Sequence, residues 1–231
     1  MGTIRRLHAA KKSDILEALN LPGDLETSDY NTEEGWSIEP ELLDVILKIV
    51  AHHRPHTVVE IGTYQGTTAS AISNQLRRNR FGRLYTIDNG PEEDASFAAS
   101  LFKKVDGQIV TQIRASSAEA FSSWGRARID ILIVDGGHDY LTSVTDLALW
   151  TRLLSEDGWI IVHDTVTRLL HRFPEDYLFP IAAFDTLDVV RLDERPSGHE
   201  WEGAAFIRFS DLTMTDQLVS CMAIRPSPEE P

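Results

Sequence analysis

Residues Thr57 to Thr68, TVVEIGTYQGTT, constrain the fold more than any other stretch of the chain. Val58, Val59 and Ile61 form an apolar run with Glu60 near its end, and the run breaks into a short turn flanked by Gly62 and Gly66. Such a run, closed by glycines, predicts a buried parallel strand that ends in a loop and feeds a helix. Gly62 permits backbone angles or close approaches that a side chain would block. Gly66 is expected to let the loop lie against a ligand before a helix starts near Thr67. The stretch reads as a cofactor loop at a strand's carboxyl end.

Spacing narrows the cofactor. The fingerprint G-x-G-x-x-G seats a pyrophosphate on a helix N-terminus. Here the pattern is E-x-G-x-x-x-G, and Tyr64 stands where the middle glycine would fall. A ligand without a pyrophosphate needs less bare backbone, which suits S-adenosylmethionine better than NAD. The pattern resembles the first motif of class I methyltransferases, matched here by Glu60, Gly62 and Gly66.

The remaining elements follow in alternation. Ser13 to Leu19 reads as a short helix, and Ile38 to His53 as a longer one, with apolar residues at helical spacing, Pro40 in its first turn and Ser37 as its cap. Between them, LPGDLETSDYNTEEGW is polar and irregular, and residues 21–36 form a candidate lid. His52, His53 and His56 straddle Pro55 at a helix end, where the macrodipole favours histidine without any metal. A helix over Thr67 to Asn79 leads to a second strand, Arg83 to Asp88, and a helix from Pro91 to Lys104. Asp88 lies about 20 residues beyond Gly66, the spacing at which a strand-end acid meets ribose hydroxyls. A third strand, Ile109 to Ala115, runs into Ser116 and Ser117 at a helix start. The fourth, Ile129 to Val134, ends in Asp135, Gly136, Gly137 and His138; a helix from about Leu141 to Leu154 leads to a fifth, Trp159 to Val162, ending in His163, Asp164 and Thr165. Two more strands are predicted at Leu187 to Leu192 and Ala204 to Phe209.

This alternation predicts an α/β fold with a doubly wound, mostly parallel sheet, whose ligands bind beyond the strands' carboxyl ends. The resemblance implies a seven-stranded, Rossmann-like methyltransferase sheet finished by antiparallel C-terminal strands. It also places Ser116 and Ser117 beside the adenine. Residues 1–36 are expected to form an N-terminal helix and lid, 37–225 the methyltransferase domain, and 226–231 a disordered tail.

Composition excludes some partners. With 22 basic against 36 acidic residues the net charge is -14, a field that repels phosphate backbones, so no nucleic-acid partner is expected. No apolar run approaches the roughly 20 residues of a bilayer span, and MGTIRRLHAAKKSDILEAL lacks a signal peptide's hydrophobic core. The one cysteine, Cys221, makes no internal disulfide and reads as a small apolar residue. A cytoplasmic enzyme, with no membrane partner, is the expectation.

The fourth and fifth strands carry the chemistry. If they are neighbours, about 5 Å apart, Asp135 and Asp164 converge on one site. Two acids that close repel unless one is protonated or a cation lies between them. Oxygen ligands suit Mg²⁺ or a similar hard divalent cation. The run VDGGHDY followed by GWIIVHDT resembles the metal-dependent O-methyltransferases, most closely the branch with the macrocin- and mycinamicin-type antibiotic sugar methyltransferases. That resemblance covers roughly Trp36 to Thr165. It implies Asp135 and Asp164 as metal ligands, with Thr165 or His163 completing the set, and Asp135 also near the methyl donor. His138 falls where catechol-type relatives place a lysine base; those relatives have Asp-Asn where this chain has Asp164-Thr165. A metal-bound hydroxyl acidifies, and His138, with an ordinary pKa of about 6.5, is suited to take its proton.

The expected activity is transfer of a methyl group from S-adenosylmethionine to a hydroxyl of a small molecule in natural-product biosynthesis. Alternatives are a metal-independent methyltransferase, an NAD-dependent oxidoreductase and a noncatalytic binding module. Tyr30, Trp36, Tyr64, His163 and Trp201 are candidates for the acceptor pocket. Whether the chain forms a homo-oligomer stays open.

Overall fold

The computed structural model describes residues 4–7, 12–30, 38–105, 108–125, 128–137, 140–164, 189–192 and 204–208. Strand β1 (Ile4–Leu7) and helices α1 (Lys12–Ala18) and α2 (Pro40–His53) precede β2 (Thr57–Ile61) and α3 (Thr67–Asn79). Then come β3 (Arg83–Asp88), α4 (Glu92–Phe102), β4 (Val110–Arg114), α5 (Ser117–Ser122), β5 (Ile129–Val134), α6 (Tyr140–Trp150), β6 (Leu154–His163), β7 (Val189–Leu192) and β8 (Ala204–Arg208). The strands form one sheet in the order β1-β7-β8-β6-β5-β2-β3-β4.

Five of them, β4-β3-β2-β5-β6, make a continuous parallel block. The chain winds outward from β2 to β4 and returns to β5, so the order reverses between β2 and β5. That reversal is the crevice where open α/β sheets bind ligands. β8 runs antiparallel to both β6 and β7.

The expected count of seven is corrected to eight strands among the described residues. Ile4–Leu7 pairs in parallel with β7 at the sheet's edge, residue for residue from Ile4 against Val189. IRRL has two central arginines and no apolar alternation, so its strand character comes from the edge it pairs with rather than from its own pattern.

Side chains alternate between two cores. Val58, Leu84, Ile131, Ile133 and Trp159 pack beneath α1, α2, α3 and α4, whereas Val59, Ile61, Ile87, Leu132 and Ile160 pack against α5 and α6. The α6 helix stops at Trp150, four residues short of the expected Leu154, and Leu154 instead opens β6 opposite Ile129. The early stretch of β6 bends where Asp157 adopts a left-handed φ of 63° before Gly158. This bend masked the strand's start from the sequence pattern. Among the described residues no helix is long and apolar enough to cross a membrane.

Residues 21–30, the first part of the expected lid, form a strap over α2 and α3. Lys48, buried in the middle of α2, donates its ammonium to the carbonyls of Gly23 and Leu25. Gln75 accepts the Ser28 amide at 2.7 Å, and Glu26 pairs with Arg78. Tyr30 donates its hydroxyl to Pro40 O at 2.9 Å. These bonds make the strap a fixed part of the domain; residues 31–36, the rest of the expected lid, lie outside the described residues, as does the 226–231 tail. Lys48→Met would leave two strap carbonyls without their buried donor. Urea denaturation of the variant is expected to show a loss of about 1–3 kcal/mol.

Candidate active site at the carboxyl edge of the sheet

At the crevice three strand ends are fastened together. Gly62 N–H donates to Ile87 O at 2.9 Å, and Asp135 N–H donates to Ile61 O at 2.8 Å. Gly62 has φ +100°, and a Cβ there would stand 2.0 Å from Asp135 O. The backbones of β2 and β5 therefore meet only because residue 62 has no side chain. Gly66, by contrast, faces α4: a Cβ would meet Ala98 Cβ at 2.7 Å and Phe102 at 2.9 Å. The missing side chain at Gly66 thus makes room for a helix. Between the two, Tyr64 takes a left-handed φ of 43° and keeps its ring 48% exposed at the crevice.

Asp88 braces this loop. Its Oδ2 accepts the Tyr64 N–H at 2.7 Å, and its Oδ1 accepts the Gly90 N–H at 2.5 Å. Each carboxylate oxygen has further lone pairs, so the group can organise the loop and still accept hydrogen bonds from a diol. Arg114 holds the same turn through the carbonyls of Asp88 and Gly90.

Glu60 does not line the crevice. It is 1% exposed beneath the loop, where Thr86 Oγ1 donates to its Oε2 at 2.5 Å, and Thr86 in turn lies 2.6 Å from Thr63 Oγ1. Burial, with the charges of Asp135 and Asp88 nearby, pushes its carboxyl up to about 8. At neutral pH it is an uncharged strut that joins β2, β3 and the loop. Ser116 and Ser117 also have structural work. Ser116 caps α5 in a reciprocal box with Glu119, and Ser117 accepts the Trp150 indole N–H at 2.8 Å.

The second half of the site is an acidic cluster around a buried histidine. His163 Nδ1 lies 2.9 Å from Asp135 Oδ1 and 3.2 Å from Asp164 Oδ1. Its Nε2 lies 2.7 Å from Glu39 Oε2. These carboxylates raise the imidazole's pKa well above its ordinary value against the opposing cost of burial. Asp164 adopts a left-handed φ of 58°, which turns its carboxylate back toward Asp135. The expected convergence of Asp135 and Asp164 is therefore present, with His163 between them.

Asp135, His163 and Asp164 offer one ligand atom each, all within 4.8 Å of one another. Two carboxylates and one imidazole suit a hard or borderline divalent cation. The residues fit such an ion. The sequence pattern, which predicts Ser37 as the cap of a helix from Ile38, does not point to Glu39; the helix starts at Pro40 and Glu39 is its N-cap residue. The available signal was topological: a helix leading into β2 begins at the carboxyl edge. His138 and Thr165, the expected base and third ligand, lie outside the described residues, as do Trp36 and Trp201.

Residues 59–165 match the family model described as a methyltransferase domain. No curated protein matches the chain. Among solved structures, an O-methyltransferase from Bacillus cereus in complex with SAH superposes at a TM-score of 0.61, with 16% identity over 85% of this chain and 89% of that one. A protein from Klebsiella pneumoniae described as an O-methyltransferase gives 0.62, with 18% identity over 85% and 88%. TomG from Streptomyces achromogenes, an O-methyltransferase of tomaymycin synthesis in complex with SAM, gives 0.55, with 18% identity over 86% and 87%. The fold is that of these enzymes, and residues 59–165 are the part of the chain that matches a methyltransferase domain.

Two variants probe the loop. Gly62→Ala forces the left-handed backbone and the clash with Asp135 O together, and chemical denaturation is expected to show a loss of at least about 2 kcal/mol. Glu60→Gln tests the neutral strut. The folded protein holds the Glu60 proton between its ordinary value of 4.5 and about 8, whereas the unfolded chain releases it. In that window the native state binds more protons, so this group's contribution to stability falls as pH rises. Gln removes the fall. The stability difference between variant and wild type is expected to move in the variant's favour from pH 5 to pH 8 and level off above.

Proposed function

We propose that the chain transfers the methyl group of S-adenosylmethionine to a hydroxyl of a small molecule, with a divalent cation such as Mg²⁺ held by Asp135, Asp164 and His163. The observation that carries this reading is the cluster of those three side chains beside the Gly62 crossing, one strand from the loop of the methyl donor. Asp88 accepts the ribose hydroxyls, and the backbone from Gly62 to Gly66 forms the wall behind the methionine part. The edge carboxylates favour the cationic sulfonium. A cation bound in the cluster would supply Lewis acidity that lowers the pKa of the acceptor hydroxyl.

His138, four residues beyond the last residue of β5 in sequence, is the proposed base that receives the hydroxyl proton. The remaining task of the protein is alignment of oxygen, methyl carbon and sulfur, which the braced loop serves. Natural-product tailoring is the proposed setting, supported by the VDGGHDY and GWIIVHDT motifs. The net charge of -14 supports a small acceptor over a nucleic acid.

One observation favours a metal-independent variant of the same transfer. Each ring nitrogen of His163 meets a carboxylate, so a protonated imidazole already neutralises part of the cluster. Calorimetric titration of the metal-stripped protein separates the two. S-adenosylmethionine is expected to bind without metal, and Mg²⁺ to bind to the wild type but not to Asp135→Ala. Methyl transfer that survives chelation would establish the metal-independent form, and no donor binding under any condition would refute both.

A further inference from the structure

We infer that Glu39 is the positioning residue of the proposed cation site, the group that holds the His163 ring with Nδ1 turned to Asp135 and Asp164. The inference rests on the metal-assisted reading above and adds to it a residue from outside the strand-end motifs.

Glu39 stands at the N-cap of α2 but makes no side-chain cap bond there. An N-cap side chain ordinarily accepts an amide from the first helical turn, a role for which Ser, Thr, Asp and Asn are the right length. Glu39 instead extends to His163, 124 residues away in sequence, and its side chain is only 14% exposed. The contact is thus a feature of the site and not of the helix end.

The backbone beneath Glu39 is fixed on both sides. Ile38 is buried and its N–H donates to Thr68 Oγ1 at 3.2 Å, on the first turn of α3. Leu43 N–H donates to Glu39 O at 2.9 Å, which starts the helical ladder. The carboxylate is therefore aimed from a rigid support.

Its chemistry follows from the inventory of donors and acceptors. A carboxylate only accepts, so Nε2, which faces Glu39, carries hydrogen, and without a metal so does Nδ1, which faces Asp135. A metal-ligating histidine uses one nitrogen as ligand and donates the other N–H to a carboxylate or carbonyl. That partner fixes the ring and raises its basicity. In His163 the ligand nitrogen would be Nδ1, which faces Asp135 and Asp164 and would release its proton to solvent as a cation binds, while Nε2–H stays on Glu39. Losing such a partner typically weakens metal binding 10- to 100-fold.

The test is titration of the metal-stripped full-length protein with Mn²⁺, followed by electron paramagnetic resonance, with spin-echo modulation to detect directly bound nitrogen. Wild type is expected to bind Mn²⁺ with a nitrogen modulation that is absent from His163→Ala. Glu39→Ala is expected to weaken Mn²⁺ binding about 10- to 100-fold. Glu39→Gln keeps the side-chain volume and an oxygen to accept Nε2–H, and is expected to restore most of the affinity. Wild-type affinity in Glu39→Ala, or a Mn²⁺ signal without bound nitrogen in the wild type, would overturn the role of Glu39 while leaving a metal at the two aspartates. No Mn²⁺ binding by the wild type would overturn the metal-assisted reading and this inference with it.

Discussion

The site depends on the contact of two backbones, where residue 62 comes so close to Asp135 O that no Cβ fits between them. This approach lets Asp135 N–H bond to Ile61 O and Gly62 N–H bond to Ile87 O, so β2, β3 and β5 end in register at the reversal of strand order. Every group of the candidate site is placed relative to that junction. Asp88 leaves β3 one residue beyond the Ile87 carbonyl, Asp135 leaves β5 at the bond itself, and His163 and Asp164 leave β6 alongside.

Acidic side chains at this edge stand in different surroundings and serve different ends. Glu60 is sealed under the loop, and desolvation outweighs its bond from Thr86, so it stays neutral and acts as a strut. Asp88 has two backbone N–H groups and partial access to solvent, so it remains available to a ligand. Asp135, Asp164 and Glu39 all meet one imidazole, that of His163. The two aspartates and the imidazole gathered there are oxygen and nitrogen donors of the kind a divalent cation takes.

Much of this was legible in the sequence because strand ends announce themselves. An apolar run closed by an acid or a glycine marks both the strand and the residue left at its carboxyl end, and Asp88, Asp135 and Asp164 were found in that way. Chemical role was harder to read than position. Glu60 and Gly66 sit in the motif, yet one is buried under the loop and the other accommodates Ala98 and Phe102 of α4. Neither burial nor a helix neighbour is written in spacing. Glu39 escaped because its partner lies 124 residues on, and Lys48 because a lysine in an amphipathic helix looks like surface until the strap carbonyls above it are known. The edge strand Ile4–Leu7 escaped for a related reason: it acquires its conformation from β7.

The central claim is that methyl donor and cation occupy adjoining places on this edge. It is met most directly by a crystal structure of the protein grown with S-adenosylhomocysteine and Mn²⁺, with data collected at the manganese absorption edge. The account predicts the ribose hydroxyls on the Asp88 carboxylate and an anomalous peak within ligand distance of Asp135, Asp164 and His163 Nδ1. A nucleoside bound away from Asp88, or a manganese peak elsewhere with the His163 cluster unchanged, would contradict it.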